Sequence, residues 1–167
     1  MSIVFRKAAF KGTAPPPDPG FLCVLRDLGG DVDVFERAFH IYWDAGYQIH
    51  IHVNGDEGLN RVLDTLEANL RRNPRYDHRT MLVHFAVSGA DQVARIKALG
   101  AIVSGNPYYV AALADQYGEV GLGPERADEM VRLGDLTSAG IPWSLHSDMP
   151  MAPADPLFLM LCAVNRL

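Results

Sequence analysis

The sequence predicts an α/β fold in which parallel strands alternate with helices. Three observations support it: short apolar stretches that suit buried strands, amphipathic stretches with helical periodicity between them, and glycines that close those helices. Strands and helices in this order form βαβ units, which place the strands in a parallel sheet. The length of 167 residues is sufficient for one such domain with its own hydrophobic core.

The predicted elements follow one another in a regular order. The first helix begins near Asp33 and ends at Gly46, and a strand over 47–53 follows it. The next helix carries an apolar stripe from Leu59 onward, and we expect Asp56 to be its N-cap residue. The remaining predicted elements are strands at 80–85, 101–105 and 141–148, helices at 91–99 and 125–139, an irregular insertion at 106–124, and an apolar helix from Asp155.

The chain is predicted to have two parts. Residues 1–32 are an N-terminal segment with a strand at SIVF (2–5) and a proline-rich loop at TAPPPDPG (13–20), and residues 33–167 are the main domain. The glycine-rich stretch YGEVGLG (117–123) lacks the Lys-Ser or Lys-Thr ending of a phosphate-binding loop. We interpret it as a flexible part of the insertion.

Composition and charge exclude several classes of protein. The net charge is −5 and the lysines and arginines are scattered, so no basic face indicates binding of nucleic acid. No apolar run approaches the roughly 18 residues of a membrane span, and we expect no membrane partner. Cys23 and Cys162 lie far apart in apolar surroundings, which predicts no disulfide framework and favours a reducing, cytoplasmic location.

The histidines fall into two groups. His40 lies on the polar side of a helix and His78 in a loop, and we expect both to be solvent-exposed. His50 and His52 share one face of the strand in GYQIHIHVNGD (46–56), because side chains alternate along a strand. Such imidazoles are either metal ligands or polar residues satisfied inside a barrel, and the spacing alone leaves both interpretations open.

Three potential metal ligands lie where predicted strands end. His52 ends one strand, His84 lies at the end of the next, and Asp148 follows the end of the last. The carboxyl ends of parallel strands meet at one edge of the sheet, which is where binding sites are built. We therefore expect the three side chains to converge and predict a site for a divalent metal there.

Other polar residues near this edge have two interpretations. His146 shares a strand face with Asp148, and it either contacts substrate or metal or packs in the core with a hydrogen bond. Asn106, Tyr108 and Tyr109 follow the third strand and are candidates for lining a substrate pocket.

Three motifs also carry a family resemblance. HVNGD (52–56), LVHFA (82–86) and LHSDMP (145–150), in this order and spacing, resemble the second half of a barrel of the amidohydrolase superfamily, in the branch often called YtcJ-like. The resemblance covers roughly residues 33–166 and includes the stretch DPLFLMLCAVNR (155–166). It implies a partial TIM (β/α)8 barrel, with about strands five to eight and their helices.

The resemblance also implies the chemistry. It implies hydrolysis of a non-peptide C–N bond, in a small amide, formamide or cyclic amide, by water that one or two divalent metal ions activate; we expect zinc. His52 then resembles the ligand from the fifth strand and His84 the ligand from the sixth. Asp148 resembles the aspartate of the eighth strand, which helps to hold the metal and exchanges protons with the attacking water.

The sequence departs from the family pattern in two places. No strand before residue 33 carries the H-x-H pair of the family's first strand, and the fourth-strand ligand is unassigned, although Lys7 and Lys11 lie in that region. An alternative assigns His50 and His52 to the first strand, but the H-x-x-G-D continuation fits the fifth strand better. A complete barrel takes about 250 residues. We therefore expect a fragment that carries part of the active site and is inactive by itself.

A second class of function stays open beside the enzyme. Half a barrel leaves open sheet edges and an exposed inner face, and such surfaces invite pairing. The chain would then be a non-catalytic, self-associating half-barrel module with at most incidental metal binding. In either class we expect a homo-oligomer or a complex with the missing half of the barrel.

Overall fold

A computed structural model describes residues 4–6 and 32–166 of the chain. The predictions for the proline-rich loop at 13–20, for Lys7 and Lys11, and for Cys23 lie outside the described residues. Within them, no helix is long and apolar enough to cross a membrane.

Strands and helices alternate along the part of the chain that the structure describes. The strands are β1 (Val4–Arg6), β2 (His50–Val53), β3 (Met81–His84), β4 (Ile102–Gly105) and β5 (Trp143–Leu145). The helices are α1 (Val32–Asp44), α2 (Asp56–Arg72), α3 (Ala90–Leu99), α4 (Tyr108–Tyr117), α5 (Pro124–Asp128), α6 (Leu133–Ser138) and α7 (Pro156–Asn165). A π-helical turn at Gly118–Leu122 joins α4 to α5, so the predicted insertion is largely helical rather than irregular.

The strands form one sheet in the order β1-β2-β3-β4-β5. Strands β2 to β5 are parallel, which confirms the predicted α/β architecture. Strand β1 runs antiparallel to β2, with Phe5 opposite Ile51, so the expectation of parallel strands throughout is wrong at this edge. An antiparallel neighbour satisfies the backbone N–H and C=O groups along the edge of β2 as well as a parallel one does.

The two faces of the sheet have different surroundings. Ile51, Val53, Leu82 and Val103 are buried against the helices, in a core with the following helix residues: Phe39, Trp43, Leu59, Val62, Leu63, Leu66, Ile96 and Leu136. On the other face His52, Val83 and Ser104 lie side by side in the register of β2, β3 and β4. We call this second face the concave face, because it corresponds to the inner side of a partial barrel.

The observed helix ends agree in part with those predicted from the sequence. Gly100, with φ of 70°, ends α3 as predicted, and Asp155 caps α7 by accepting a hydrogen bond from the Phe158 N–H at 3.1 Å. The N-cap of α2 is Gly55, so the expectation that Asp56 has this role is wrong. Asp56 is the first residue of the helix, where its charge complements the helix dipole, and it forms an ion pair with Arg126 at 2.7 Å.

The helix predicted over 125–139 is two short helices. Helices α5 and α6 are separated near Val131, whose φ of 50° is incompatible with a continuous right-handed helix. The Val131 N–H donates to the Ala86 carbonyl at 2.9 Å, which attaches this break to the chain just after β3. Gly105 of β4 makes room for it, because a Cβ atom there would lie 3.2 Å from Val131 Cγ1.

The two histidines expected at the surface have different environments. His40 is exposed as predicted, with Nε2 3.3 Å from an Asp44 carboxylate oxygen. His78 is buried, so the expectation of an exposed side chain is wrong. Its Nδ1 accepts from the Thr80 N–H at 3.0 Å, and its Nε2–H donates to the Leu99 carbonyl at 2.9 Å. That carbonyl is one of the last in α3 and needs a partner outside the helix.

The environment of His78 predicts a pH dependence of stability. Burial lowers the pKa of His78, so below the usual histidine pKa of about 6.5 the unfolded chain takes up a proton that the folded chain resists. The free energy of unfolding should therefore be highest above that pH and fall on acidification. We expect His78→Gln to reduce the difference between the free energies of unfolding that urea titrations give at about pH 7.5 and at about pH 5.5. The exposed His40→Gln is the control, and an unchanged difference in His78→Gln would contradict this account.

Candidate metal centre

Polar side chains from β2, β3 and the chain after β5 meet at the carboxyl edge of the sheet. The ring centroids of His52 and His84 are 4.0 Å apart, and those of His84 and His146 are 4.8 Å apart. The Nε2 atom of His84 lies 3.9 Å from Oδ2 of Asp148. His84 is fully buried and touches all three neighbours, so the arrangement is centred on this residue.

His84 reaches this edge because the backbone leaves the strand conformation. Leu82 faces the helices and Val83 the concave side, so strict alternation would turn His84 back toward the helices. The φ angles of His84 and Phe85 are 77° and 52°, in the left-handed region. Few residues other than glycine adopt it, although histidine does so more often than most. Phe85 is buried in the core instead, and the His84 ring turns to the concave side.

Hydrogen bonds hold this turn in place. The Phe85 N–H donates to the Val53 carbonyl at 3.1 Å, and the His84 carbonyl accepts from the Asn106 N–H at 3.1 Å. Asp148 also has a left-handed backbone, with φ of 58°. Strained positions of this kind cluster at functional sites, where the surrounding structure enforces them.

A row of hydrogen bonds connects the strands below the edge. Ser104 Oγ lies 2.9 Å from Nδ1 of His146, and Nε2 of His146 lies 3.1 Å from Nδ1 of His84. Both ring nitrogens of His146 are thus engaged. The nitrogen of His84 that faces Asp148 is Nε2. The structure therefore places His146 between Ser104 and His84 on the concave face.

His52 has a polar partner of its own. Asn54 Nδ2 lies 2.9 Å from Nε2 of His52. The ring of Tyr109 lies edge-on to His84, with centroids 5.9 Å apart. Burial raises the pKa of the Tyr109 phenol. Sequence reasoning did not identify Asn54 as a site residue, although it lies two residues after His52, which is the spacing that keeps side chains on one face of a strand.

A cleft of about 620 Å³ opens on the concave face, bordered by His50, Val83, Ser104, His146 and Asp148 among others. Burial lowers the pKa of His50, and its buried Nε2 has no hydrogen-bond partner in the described structure. His50 is paired in the sheet with Met81, whereas His52 is paired with Val83, closer to the carboxyl edge. His50 therefore lies one layer below the candidate site.

Two predicted substrate-binding residues lie outside the border of this cleft. Asn106 is buried, and its Oδ1 accepts from the Tyr108 N–H at 3.1 Å, a local turn at the start of α4. The Tyr108 hydroxyl donates to the Pro153 carbonyl at 3.3 Å, and its ring packs against Phe158. Substrate binding by Asn106 and Tyr108 stays a prediction.

The candidate ligands fit a divalent metal in part. Among the residues that the structure describes, no three His, Cys, Asp or Glu side chains are grouped closely enough to hold a metal ion. The 3.9 Å between His84 Nε2 and Asp148 Oδ2 exceeds a hydrogen bond. Two ligand atoms on one tetrahedral ion with bonds of about 2.0–2.1 Å are roughly 3.3 Å apart, so this pair needs only a small approach. Imidazole and carboxylate are also a donor set that divalent metals accept.

Comparison with known proteins identifies the class. The sequence model of the amidohydrolase family matches residues 21–166, and the chain therefore belongs to this family. This confirms the resemblance that the three motifs indicated. Residues 1–20 lie outside the match.

Two curated proteins are similar to the chain. The putative amidohydrolase YtcJ of Bacillus subtilis (strain 168) is 28% identical over 140 residues, which are 81% of this chain and 25% of that protein. Protein LONG AFTER FAR-RED 3 of Arabidopsis thaliana is 29% identical over 124 residues, which are 74% of this chain and 21% of that protein. The chain therefore spans about a quarter of the length of these relatives.

Two solved structures share the fold. They are uncharacterized metal-dependent hydrolases from Pyrococcus furiosus, with 29% identity and a TM-score of 0.63, and from Pyrococcus horikoshii OT3, with 26% identity and a TM-score of 0.66. Each match covers 81% of this chain and 26% of the other chain. The chain is thus part of a TIM-type (β/α)8 barrel, as the resemblance implied.

Proposed function

We propose that this chain contributes part of the active site of a metal-dependent hydrolase that cleaves a non-peptide C–N bond in a small amide, formamide or cyclic amide. The observation that carries the proposal is the buried imidazole of His84, which the backbone turns toward the Asp148 carboxylate at the carboxyl edge of a parallel sheet. Membership of the amidohydrolase family supports it. The two structural neighbours, which are described as metal-dependent hydrolases, support it as well.

In this proposal the chain supplies three metal ligands, which are His52, His84 and Asp148. A bound divalent ion would lower the pKa of a water molecule and polarise the carbonyl of the substrate. The remaining ligands of a site with one or two ions come from outside the described residues. Zinc is the metal we propose, because two imidazoles and a carboxylate are common zinc ligands.

Asp148 is the proposed catalytic residue. Its side chain is 18% exposed, whereas that of His84 is 1% exposed, so the carboxylate reaches both the buried imidazole and the cleft. From there it can accept the proton of the attacking water and pass it to the leaving nitrogen. His146 borders the same cleft and is a candidate for contact with substrate.

The chain alone is proposed to be inactive. The described residues supply His52, His84 and Asp148, which do not enclose an ion by themselves. Enclosure matters because a catalytic metal site needs fixed ligands, a water position and a shaped cavity. We also propose a reducing, cytoplasmic location, which suits the buried free thiol of Cys162.

Metal binding gives the direct test of this proposal. We expect the untagged chain, purified without chelator, to bind zinc in native mass spectrometry. His84→Ala and Asp148→Asn should each weaken binding by at least about 10-fold, because each removes a ligand atom. His40→Ala, a change to an exposed histidine that pairs with Asp44, is the matched control. Equal zinc binding by the wild type and His84→Ala would refute the assignment.

A second candidate function is self-association of the half-barrel. Helix α7 has apolar side chains on its exposed surface, with 76% of Leu157 and 79% of Val164 accessible. The exposed fractions of Met149 and Met151, just before this helix, are 66% and 83%. An exposed apolar patch of this kind marks an interaction surface, and we propose a second copy of the chain as its occupant.

Charge placed on this surface should prevent association. Leu157 and Val164 are seven residues apart and therefore lie on one face of α7. We expect the wild type to sediment as a dimer and the double variant Leu157→Glu/Val164→Glu as a monomer, because apposed carboxylates repel and lose hydration. Ile41→Glu, on the exposed side of α1, is the control and should remain dimeric. A monomeric wild type would contradict the proposal.

A further inference from the structure

The cleft on the concave face has a lining that indicates which part of a substrate it holds. Asp148 and His146 border it at the carboxyl edge of the sheet, and two apolar side chains of β3, Met81 and Val83, border it as well. We propose that this cleft holds an uncharged, apolar substituent of the substrate and that Met81 and Val83 are specificity-determining residues. The inference rests on the proposed function in one respect: it places the amide group of the substrate at Asp148.

Strand β3 supplies the apolar side chains nearest to the candidate metal centre. Met81 and Val83 are two residues apart and therefore lie on one face of the strand. Val83 directly precedes His84, whereas Met81 is the first residue of β3 and lies one layer lower. A substrate group that extends from Asp148 along the concave face therefore meets Val83 first and Met81 next.

The segment after β5 supplies further apolar lining. Ala154, Pro156 and Leu159, which lie just before or within the first turn of α7, border the same cleft. Leu159 is 6% exposed, so its side chain packs inward, unlike the exposed residues of α7 that form the proposed association surface. Both the sheet and α7 therefore line the cleft with apolar side chains, and both belong to this chain.

The charges around the cleft restrict what the substituent can carry. Among the described residues that border it, Asp148 is the only one with a fixed charge, and none is lysine or arginine. A carboxylate on the substituent would lose its hydration beside Met81 and Val83 without gaining an ion pair, which is unfavourable. An alkyl or aromatic group is instead stabilised by burial of its apolar surface, and the volume of about 620 Å³ leaves room for it.

Binding of three neutral amides to the metal-free chain tests the preference. They are N-methylacetamide, N-hexylacetamide and N-methylheptanamide, so a hexyl group is absent, attached to nitrogen or attached to the carbonyl carbon. Titrations followed by NMR of the methionine and valine methyl groups give the dissociation constants. We expect at least about 10-fold tighter binding of one hexyl compound, with the largest shifts at Met81 and Val83, because each fully buried methylene group strengthens binding about 4-fold. Equal binding of all three amides would overturn the inference.

A matched anion tests the exclusion of charge. This compound carries a terminal carboxylate on the same chain, on the side of the amide where the hexyl group binds more tightly. We expect the anion to bind no more tightly than N-methylacetamide, because its carboxylate has no cationic partner among the described lining residues. Binding as tight as that of the neutral hexyl compound would contradict the assignment of an uncharged substituent.

Two variants that add polarity with little change in volume test the two residues. Val83→Thr replaces a methyl group by a hydroxyl, and Met81→Gln replaces the end of a partly buried thioether chain by an amide. Each should reduce the advantage of the hexyl compound several-fold and leave binding of N-methylacetamide unchanged. Val120→Thr, the same change at an exposed position outside the cleft, is the control and should match the wild type. An undiminished advantage in both Val83→Thr and Met81→Gln would refute their role.

Zinc binding separates failure of this inference from failure of the proposed function. Zinc binding by the wild type, together with equal binding of the three neutral amides, would overturn the apolar subsite and leave the metal centre supported. Preference for a hexyl compound in a chain that binds no zinc would instead refute the metal-dependent site and leave the apolar subsite supported.

Discussion

The candidate site depends on one backbone feature, the left-handed turn at His84 and Phe85. Strict alternation along the strand would place His84 on the helix side of the sheet and Phe85 on the concave face. The turn reverses this assignment, so Phe85 is buried in the core and the imidazole of His84 lies on the concave face. Two such conformations cost on the order of 1–3 kcal/mol each. Full burial of an aromatic side chain contributes about 1.5–3 kcal/mol, so packing of Phe85 offsets much of that cost.

The surrounding elements hold this turn from several sides. The Phe85 N–H is bonded to β2, and the Val131 N–H donates to Ala86, directly after the turn. Val131 can approach because Gly105 has no side chain and because the helices α5 and α6 are interrupted there. The break in the predicted helix and the glycine at the end of β4 therefore serve the same purpose, which is to hold the chain that follows His84.

Much of this arrangement could be predicted from the sequence, because it depends on local patterns. Helical periodicity and closing glycines located most helices, and the order of strands and helices predicted the parallel sheet. Other features depend on contacts between distant segments. The antiparallel β1, the burial of His78 under the end of α3, and the bridge from Ser104 to His146 are set by partners that periodicity does not reveal. Backbone angles such as those of Val131 and His84 are likewise imposed by tertiary contacts.

The most direct test of the central claim is where a metal binds relative to His84. Crystals of the protein grown with zinc and measured at the zinc absorption edge would locate the ion by anomalous scattering. The account predicts a peak in contact with both Nε2 of His84 and the carboxylate of Asp148, with the His84 ring on the concave face. Absence of zinc at the carboxyl end of the sheet, together with a His84 ring that points into the helix layer, would contradict both the role of the turn and the proposed metal centre.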